Sequence, residues 1–218
     1  MNIENKSVQP KLRIQRSARA FALAAGVSVL TSSIGFSAMA APKPTQAAKS
    51  DAGVQKTKAQ LNSDLLAAIA DGDKTAVGEL LGQGADANTR IKDGPTALMS
   101  AVREGQTGIV GLLLAKGADV DAKDSFGRTA LMEAARDDHT ETAKMLIAKG
   151  ANVNDADNKG RTALIEAAFE GHKKTAELLI SKGASVDAKD KDGRTALFYA
   201  EEHGSSEIVN LLKGHGAA

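Results

Sequence analysis

The chain has no cysteine and no tryptophan, one tyrosine, five phenylalanines and four prolines among 218 residues. Without cysteine there is neither a disulfide framework nor a lipid-modified cysteine anchor. The scarcity of large aromatics argues against a single core built on bulky anchors, so small aliphatic residues must do the packing. Charge of one sign is also missing. The formal net charge is +1, and Lys6, Lys11, Arg13, Arg16 and Arg19 against Glu4 place the basic excess in the first 40 residues, leaving the remainder slightly acidic. That balance gives no electrostatic footprint for nucleic acid.

Residues 1–40 read as a signal peptide: a basic stretch to Arg19, an apolar run from Ala20 to Leu30, then small residues up to Ala38-Met39-Ala40, with cleavage expected after Ala40. The competing reading is an uncleaved membrane anchor. Ser28, Thr31, Ser32, Ser33, Gly35 and Ser37 dilute the segment relative to the ~20 mostly apolar residues of a spanning helix. No paired arginines occur, so the general export route is the simpler one. The leader looks bacterial, and the expected destination is the periplasm or beyond. Residues 41–60, rich in Ala, Lys, Gln and Pro without an apolar period, read as a flexible linker.

From about Leu61 the sequence repeats itself. Gly94, Gly127, Gly160 and Gly193 each open a G-x-T-A-L segment at a constant step of 33 residues, and Gly84-Ala85, Gly117-Ala118, Gly150-Ala151, Gly183-Ala184 and Gly216-Ala217 keep the same step. Five copies are present, the first lacking its G-x-T-A-L. Thr96, Thr129, Thr162 and Thr195, with Ser63 in the first copy, precede an apolar-periodic run and suit the start of a first helix. Gly72, Gly105, Asp138, Gly171 and Gly204 fall where a left-handed residue ends that helix, Asp being a tolerated substitute. A second helix follows through Leu80-Leu81 and its counterparts up to Leu211-Leu212. The short polar remainder of each copy reads as a projecting hairpin-like turn. Ala68, Ala101, Ala134, Ala167 and Ala200 permit neighbouring helix pairs to approach closely, and the apolar columns end in Glu201 and Lys213, where no further copy covers them.

The G-x-T-A-L segments, the paired alanines, Gly171-His172 and Gly117-Ala118-Asp119-Val120-Asp121 resemble the ankyrin repeat. The resemblance covers residues 61–218, in repeats of about 61–90, 91–123, 124–156, 157–189 and 190–218, and implies an all-α solenoid of five helix-turn-helix repeats with projecting hairpin-like turns. The family's T-P-L-H is here T-A-L followed by Met99, Met132, Ile165 or Phe198. Loss of that histidine removes a link between hairpins, so less tightly tied turns are expected.

Site chemistry is sparse. His139 and His172 sit one repeat apart at the family's G-H position, and no carboxylate or second histidine completes a metal site beside them. A calcium-like run, Asp155-x-Asp157-x-Lys159-Gly160 with Glu166 at the twelfth place, puts a lysine where an oxygen ligand is required. No nucleophile elbow, phosphate loop or dinucleotide fingerprint occurs. The expectation is a binding protein, not an enzyme, with no cofactor and no metal, monomeric on its own and free of the membrane after signal cleavage.

The resemblance further implies that a partner protein meets the turn tips and the exposed side of the first helices. Carried over by position, this face comprises Phe126, Arg128, Glu133, Arg136, Lys159, Arg161, Glu166, Phe169, Arg194, Tyr199 and Glu202. Phe126, Phe169 and Tyr199 are expected as exposed anchors, the alternative being that Phe169 and Tyr199 shelter against helix neighbours and Phe126 packs on the adjacent turn; the arginine column 128, 161, 194 either pairs with Asp124, Asp157 and Asp190 or steers an acidic partner. The roles considered are an inhibitor or immunity protein against an exported enzyme, or a scaffold for an envelope or oxidant-defence enzyme. A hydrolase or metal protein, and a spacer tethered by an uncleaved leader, are the alternatives.

Overall fold

A computed structural model describes residues 56–217. The expected leader, its cleavage point and residues 41–55 of the expected linker lie outside the described residues. Among those described, helices come in pairs: α1 (Lys58–Asp71) with α2 (Lys74–Gly82), α3 (Ala97–Arg103) with α4 (Thr107–Ala115), α5 (Ala130–Arg136) with α6 (Thr140–Ala148), α7 (Ala163–Glu170) with α8 (Lys173–Ser181), and α9 (Ala196–Glu202) with α10 (Ser206–Gly214). Helices after α1 are at most nine residues long, too short to persist in water alone. Packing must supply what length does not.

Local chemistry sets the boundaries. Thr96, Thr129, Thr162 and Thr195 accept hydrogen bonds through Oγ1 from the backbone N–H of Met99, Met132, Ile165 and Phe198 at 3.2 to 3.4 Å, satisfying a helix-start donor that otherwise has no partner. The first repeat departs from expectation. Ser63 lies inside α1, and Thr57 caps the helix in a reciprocal box with Gln60. Residues 58–60 are therefore helix, not linker. Each first helix ends at a left-handed residue, including Asp138 at φ 56°. A short polar side chain is the kind an L-residue needs to hold that conformation.

First helices stack on first helices and second on second. Ala101, Ala134, Ala167 and Ala200 are fully buried at the contact, and Leu113, Leu146, Leu179 and Leu212 form a buried column through the second layer. Truncating one of these leucines to alanine costs about 2 to 5 kcal/mol. The last repeat closes with an ion pair at its outer face, Lys213 Nζ to Glu201 Oε1 at 2.9 Å.

The hairpins are not loosely tied. Met99, Met132 and Ile165, in the column where the family carries histidine, are buried in the core. The links between hairpins come instead from backbone bonds, Asn158 N–H to Phe126 O and Lys191 N–H to Lys159 O, both 2.9 Å. Side chains add a ladder. Asn88 Oδ1 accepts from Asp119 N–H at 2.7 Å, Asp121 Oδ1 from Asn152 N–H at 3.0 Å, and Asn154 Oδ1 from Ser185 N–H at 2.8 Å. His172 Nε2 lies 2.9 Å from Arg136 O, and Gln106, in the same column, donates to Ile69 O at 2.7 Å. The column thus joins one repeat to the previous one.

Candidate protein-binding face

Each later hairpin is built on an aspartate clasp. Asp124 Oδ1 accepts the N–H of Phe126 and of Arg128, both at 2.9 Å, while Oδ2 accepts Arg128 Nε at 3.0 Å and Nη2 at 2.7 Å. Asp157 repeats the pattern with the N–H of Lys159 and Arg161, and Asp190 with the N–H of Asp192 and Arg194. A carboxylate that receives two amides and a guanidinium is fully engaged, so burial is tolerable. Burial alone would raise the pKa of Asp124, but the hydrogen bonds from Arg128 and Phe126 outweigh it and hold the group below its ordinary value. The first hairpin lacks the clasp: Ile91 and Pro95 stand where Asp124 and Arg128 do, and Ile91 is half exposed.

The clasp arginine also reaches down to the first helix behind it. Arg128 Nη1 lies 3.1 Å from Glu133 Oε1, and Arg161 Nη1 lies 3.0 Å from Glu166 Oε1. Glu133 is enclosed further by Arg136 Nη2 and by Arg103 Nε at 3.4 Å. In the last repeat Tyr199 takes the glutamate's place. Its hydroxyl donates to Asp190 Oδ2 at 2.6 Å, and the Arg194 guanidinium sits 5.2 Å from its ring centroid. Burial first, then this hydrogen bond and the negative charge of Asp190, push the tyrosine pKa up to about 12. Glu166 is likewise raised, chiefly by burial, with Arg161 opposing.

These contacts redraw the expected face. Glu133, Glu166 and Tyr199 are buried, so they support the face from beneath and are not exposed contacts. The hairpin folds over them. Phe169 is half-buried, edge-on to Tyr199 with centroids 5.6 Å apart and 4.3 Å from the His203 ring. It is a packing residue with one open edge. Arg128, Arg161 and Arg194 are committed to ion pairs, and Arg136 is held by Glu133 and Asp137. Phe126, Lys159 and Glu202 stand exposed as expected. Two exposed apolar residues were not foreseen. Ile91 replaces a clasp aspartate, and Phe198 stands in the column of buried Met99, Met132 and Ile165 but is not covered by a further repeat among the described residues. Ile91 could be found by asking which member of its column breaks the column's chemistry, and Phe198 by asking which apolar residue stands at the end of its column.

Phe126 is the most exposed large apolar side chain among the described residues, at 64%, with Arg128 5.2 Å from its ring centroid. Its column otherwise holds Asp93, Lys159 and Asp192. Beside it the tips enclose two adjoining clefts. One, of about 220 Å³, runs between Phe126, Arg128 and Arg161; the next, of about 360 Å³, runs on from Lys159 to Lys191 and Tyr199. Gly127 and Gly160 let the tips come this close. A Cβ on Gly127 would fall 2.5 Å from Asn158 Oδ1, and one on Gly160 would fall 2.9 Å from Lys191 N. A larger hollow of about 440 Å³ lies on the first repeat, against Asp64, Asp71 and Glu79. Among the described residues no three metal-liganding side chains converge, and no helix is long and apolar enough to cross a membrane.

The stacked helix pairs, constant step and projecting hairpins define a repeat protein. The chain belongs to the ankyrin-repeat family: the family model for ankyrin repeats (3 copies) matches residues 65–157 and again 154–218. No curated protein matches the chain. Ankyrin repeats generally mediate protein–protein interaction and are typically non-enzymatic.

Proposed function

We propose that this chain captures a partner protein on its hairpin tips, with Phe126 as the anchor and the tip clefts as its surroundings. The observation carrying this reading is the exposure of an aromatic ring in a column that is otherwise polar. Packing does not account for it, because the equivalent positions of the other two clasped hairpins fold in the same way with Lys159 or Asp192. A large exposed ring flanked by clefts and guanidinium groups is the composition of an interface centre. The buried rows beneath, Glu133 with its arginines and Asp190 with Tyr199, keep the tips rigid, which lowers the ordering cost of binding.

The working site in this proposal is the bacterial periplasm, reached through the leader over residues 1–40. The role there is either that of an inhibitor or immunity protein against an exported enzyme or that of a scaffold for an envelope or oxidant-defence enzyme. A photo-crosslinking amino acid placed at residue 126 of the full chain, expressed in bacteria, tests both halves. The expected result is a discrete crosslinked partner in the osmotic-shock fraction and a mature amino terminus at Ala41. No adduct at 126 while the protein is abundant would refute the interface, and a protein retained in the cytoplasm would refute the location. Adding purified protein to the captured enzyme separates the roles: lost activity marks an inhibitor, unchanged or prolonged activity a scaffold.

A further inference from the structure

The chemistry of the tip trough narrows the kind of partner it fits. The acids lining it are spent internally. Asp157 accepts two backbone amides and lies against Arg161, and Asp190 accepts two amides, Arg194 and the Tyr199 hydroxyl. Lys159 and Lys191 are different: both are exposed, and neither ammonium has an ion-pair or hydrogen-bond partner among the described residues. They face a trough whose first wall is the exposed Phe126 ring. The surface therefore offers an apolar platform followed by two unneutralised cations in adjoining clefts, with no free carboxylate of its own lining the same space except Asp192, which Arg194 holds.

We infer that the occupant is an acidic protein segment, its apolar side chain against Phe126 and its carboxylates on Lys159 and Lys191. This rests on the protein-binding reading above and goes beyond it in stating the charge of the partner. Complementary charge steers encounter and rejects like-charged competitors, while the ring supplies the desolvated contact that sets the dissociation rate. A basic segment would meet two lysines with nothing to neutralise it.

The test is selection of a random peptide library displayed on phage against the full chain, followed by fluorescence anisotropy with the enriched peptides and with a single-stranded thymidine oligonucleotide. Enriched peptides are expected to carry Asp or Glu next to an aromatic or aliphatic residue. They should bind at least ~10-fold more weakly to Phe126→Ala and to the Lys159→Glu, Lys191→Glu double variant, and normally to the Lys116→Glu, Lys149→Glu double variant, an equal charge change at the far ends of α4 and α6. The circular dichroism of each variant should match the parent, since Lys159 and Lys191 have no side-chain partner among the described residues and Phe126 has only the exposed contact with the Arg128 guanidinium. Peptides that depend on Phe126 but carry no acidic excess, or affinity unchanged by the lysine reversals, would overturn the acidic assignment and leave protein binding standing. An oligonucleotide bound as tightly as the peptides would overturn it as well. Failure to enrich any peptide dependent on Phe126 would remove the interface itself.

Discussion

The single tyrosine makes the buried clasp of the last repeat directly readable. Tyr199 is almost wholly enclosed, and its hydroxyl donates to a carboxylate 2.6 Å away. Ionising it would place a phenolate against Asp190, so its pKa stands near 12 in place of the ordinary 10.0. In the unfolded chain it titrates near the ordinary value. The folded state therefore holds its proton where the unfolded state has lost it, and stability that is complete below pH 10 declines as pH rises towards 12. At about 1.4 kcal/mol per pH unit, the loss is on the order of 2 to 3 kcal/mol. Tyrosinate absorbance, followed in the native protein and in urea with far-ultraviolet circular dichroism recorded alongside, reads this without interference from tryptophan. The native midpoint should lie well above the midpoint in urea, and Asp190→Asn should lower it. Two coincident midpoints, with the circular dichroism still native, would refute the clasp.

Three further outcomes follow from the same row of buried groups. Glu133→Gln leaves Arg103 without a carboxylate while Arg128 keeps Asp124 and Arg136 keeps Asp137; because those arginines are partly solvated, the expected loss is about 1 to 3 kcal/mol in urea denaturation. Glu166→Gln should do the opposite. Burial raises its pKa in the fold, so its contribution is present in acid and lost as pH rises through the folded value, and the amide should increase the urea midpoint at neutral pH while leaving it unchanged in acid. Gly127→Ala must hold φ 76° and push its Cβ into Asn158, so it should lower the thermal midpoint by several degrees, corresponding to about 1 to 3 kcal/mol, with amide exchange quickened at Asn158.

What could be read from the sequence was whatever the step of 33 repeats at every copy. The threonine caps, the left-handed breaks and the alanine contacts each have one local cause, and one local cause is visible in a short window. The candidate face was less legible, because burial there depends on a hairpin folding across the next helix. Glu133, Glu166 and Tyr199 occupy helix positions that periodicity assigns to solvent; only the reach of Arg128, Arg161 and Asp190 covers them. The start of α1 was missed for a related reason. Ser63 matches the threonine column, but among the described residues no hairpin precedes the first copy, and Thr57 with Gln60 caps the helix further upstream. Phe126, by contrast, stood out as one of few aromatics and lies at a turn tip, and it is exposed in the fold.

The joints between hairpins carry a consequence for how such a chain can grow. Asn158 N–H bonds to Phe126 O, and Lys191 N–H bonds to Lys159 O, so the second, third and fourth tips are joined by interchangeable connectors. Duplicating one interior unit would reproduce both the connector and the helix contact on each side, extending the ruler by one notch without redesigning either end. The first tip, with Ile91 and Pro95, has no such backbone connector, and its repeat is joined to the next through the Asn88 side chain instead.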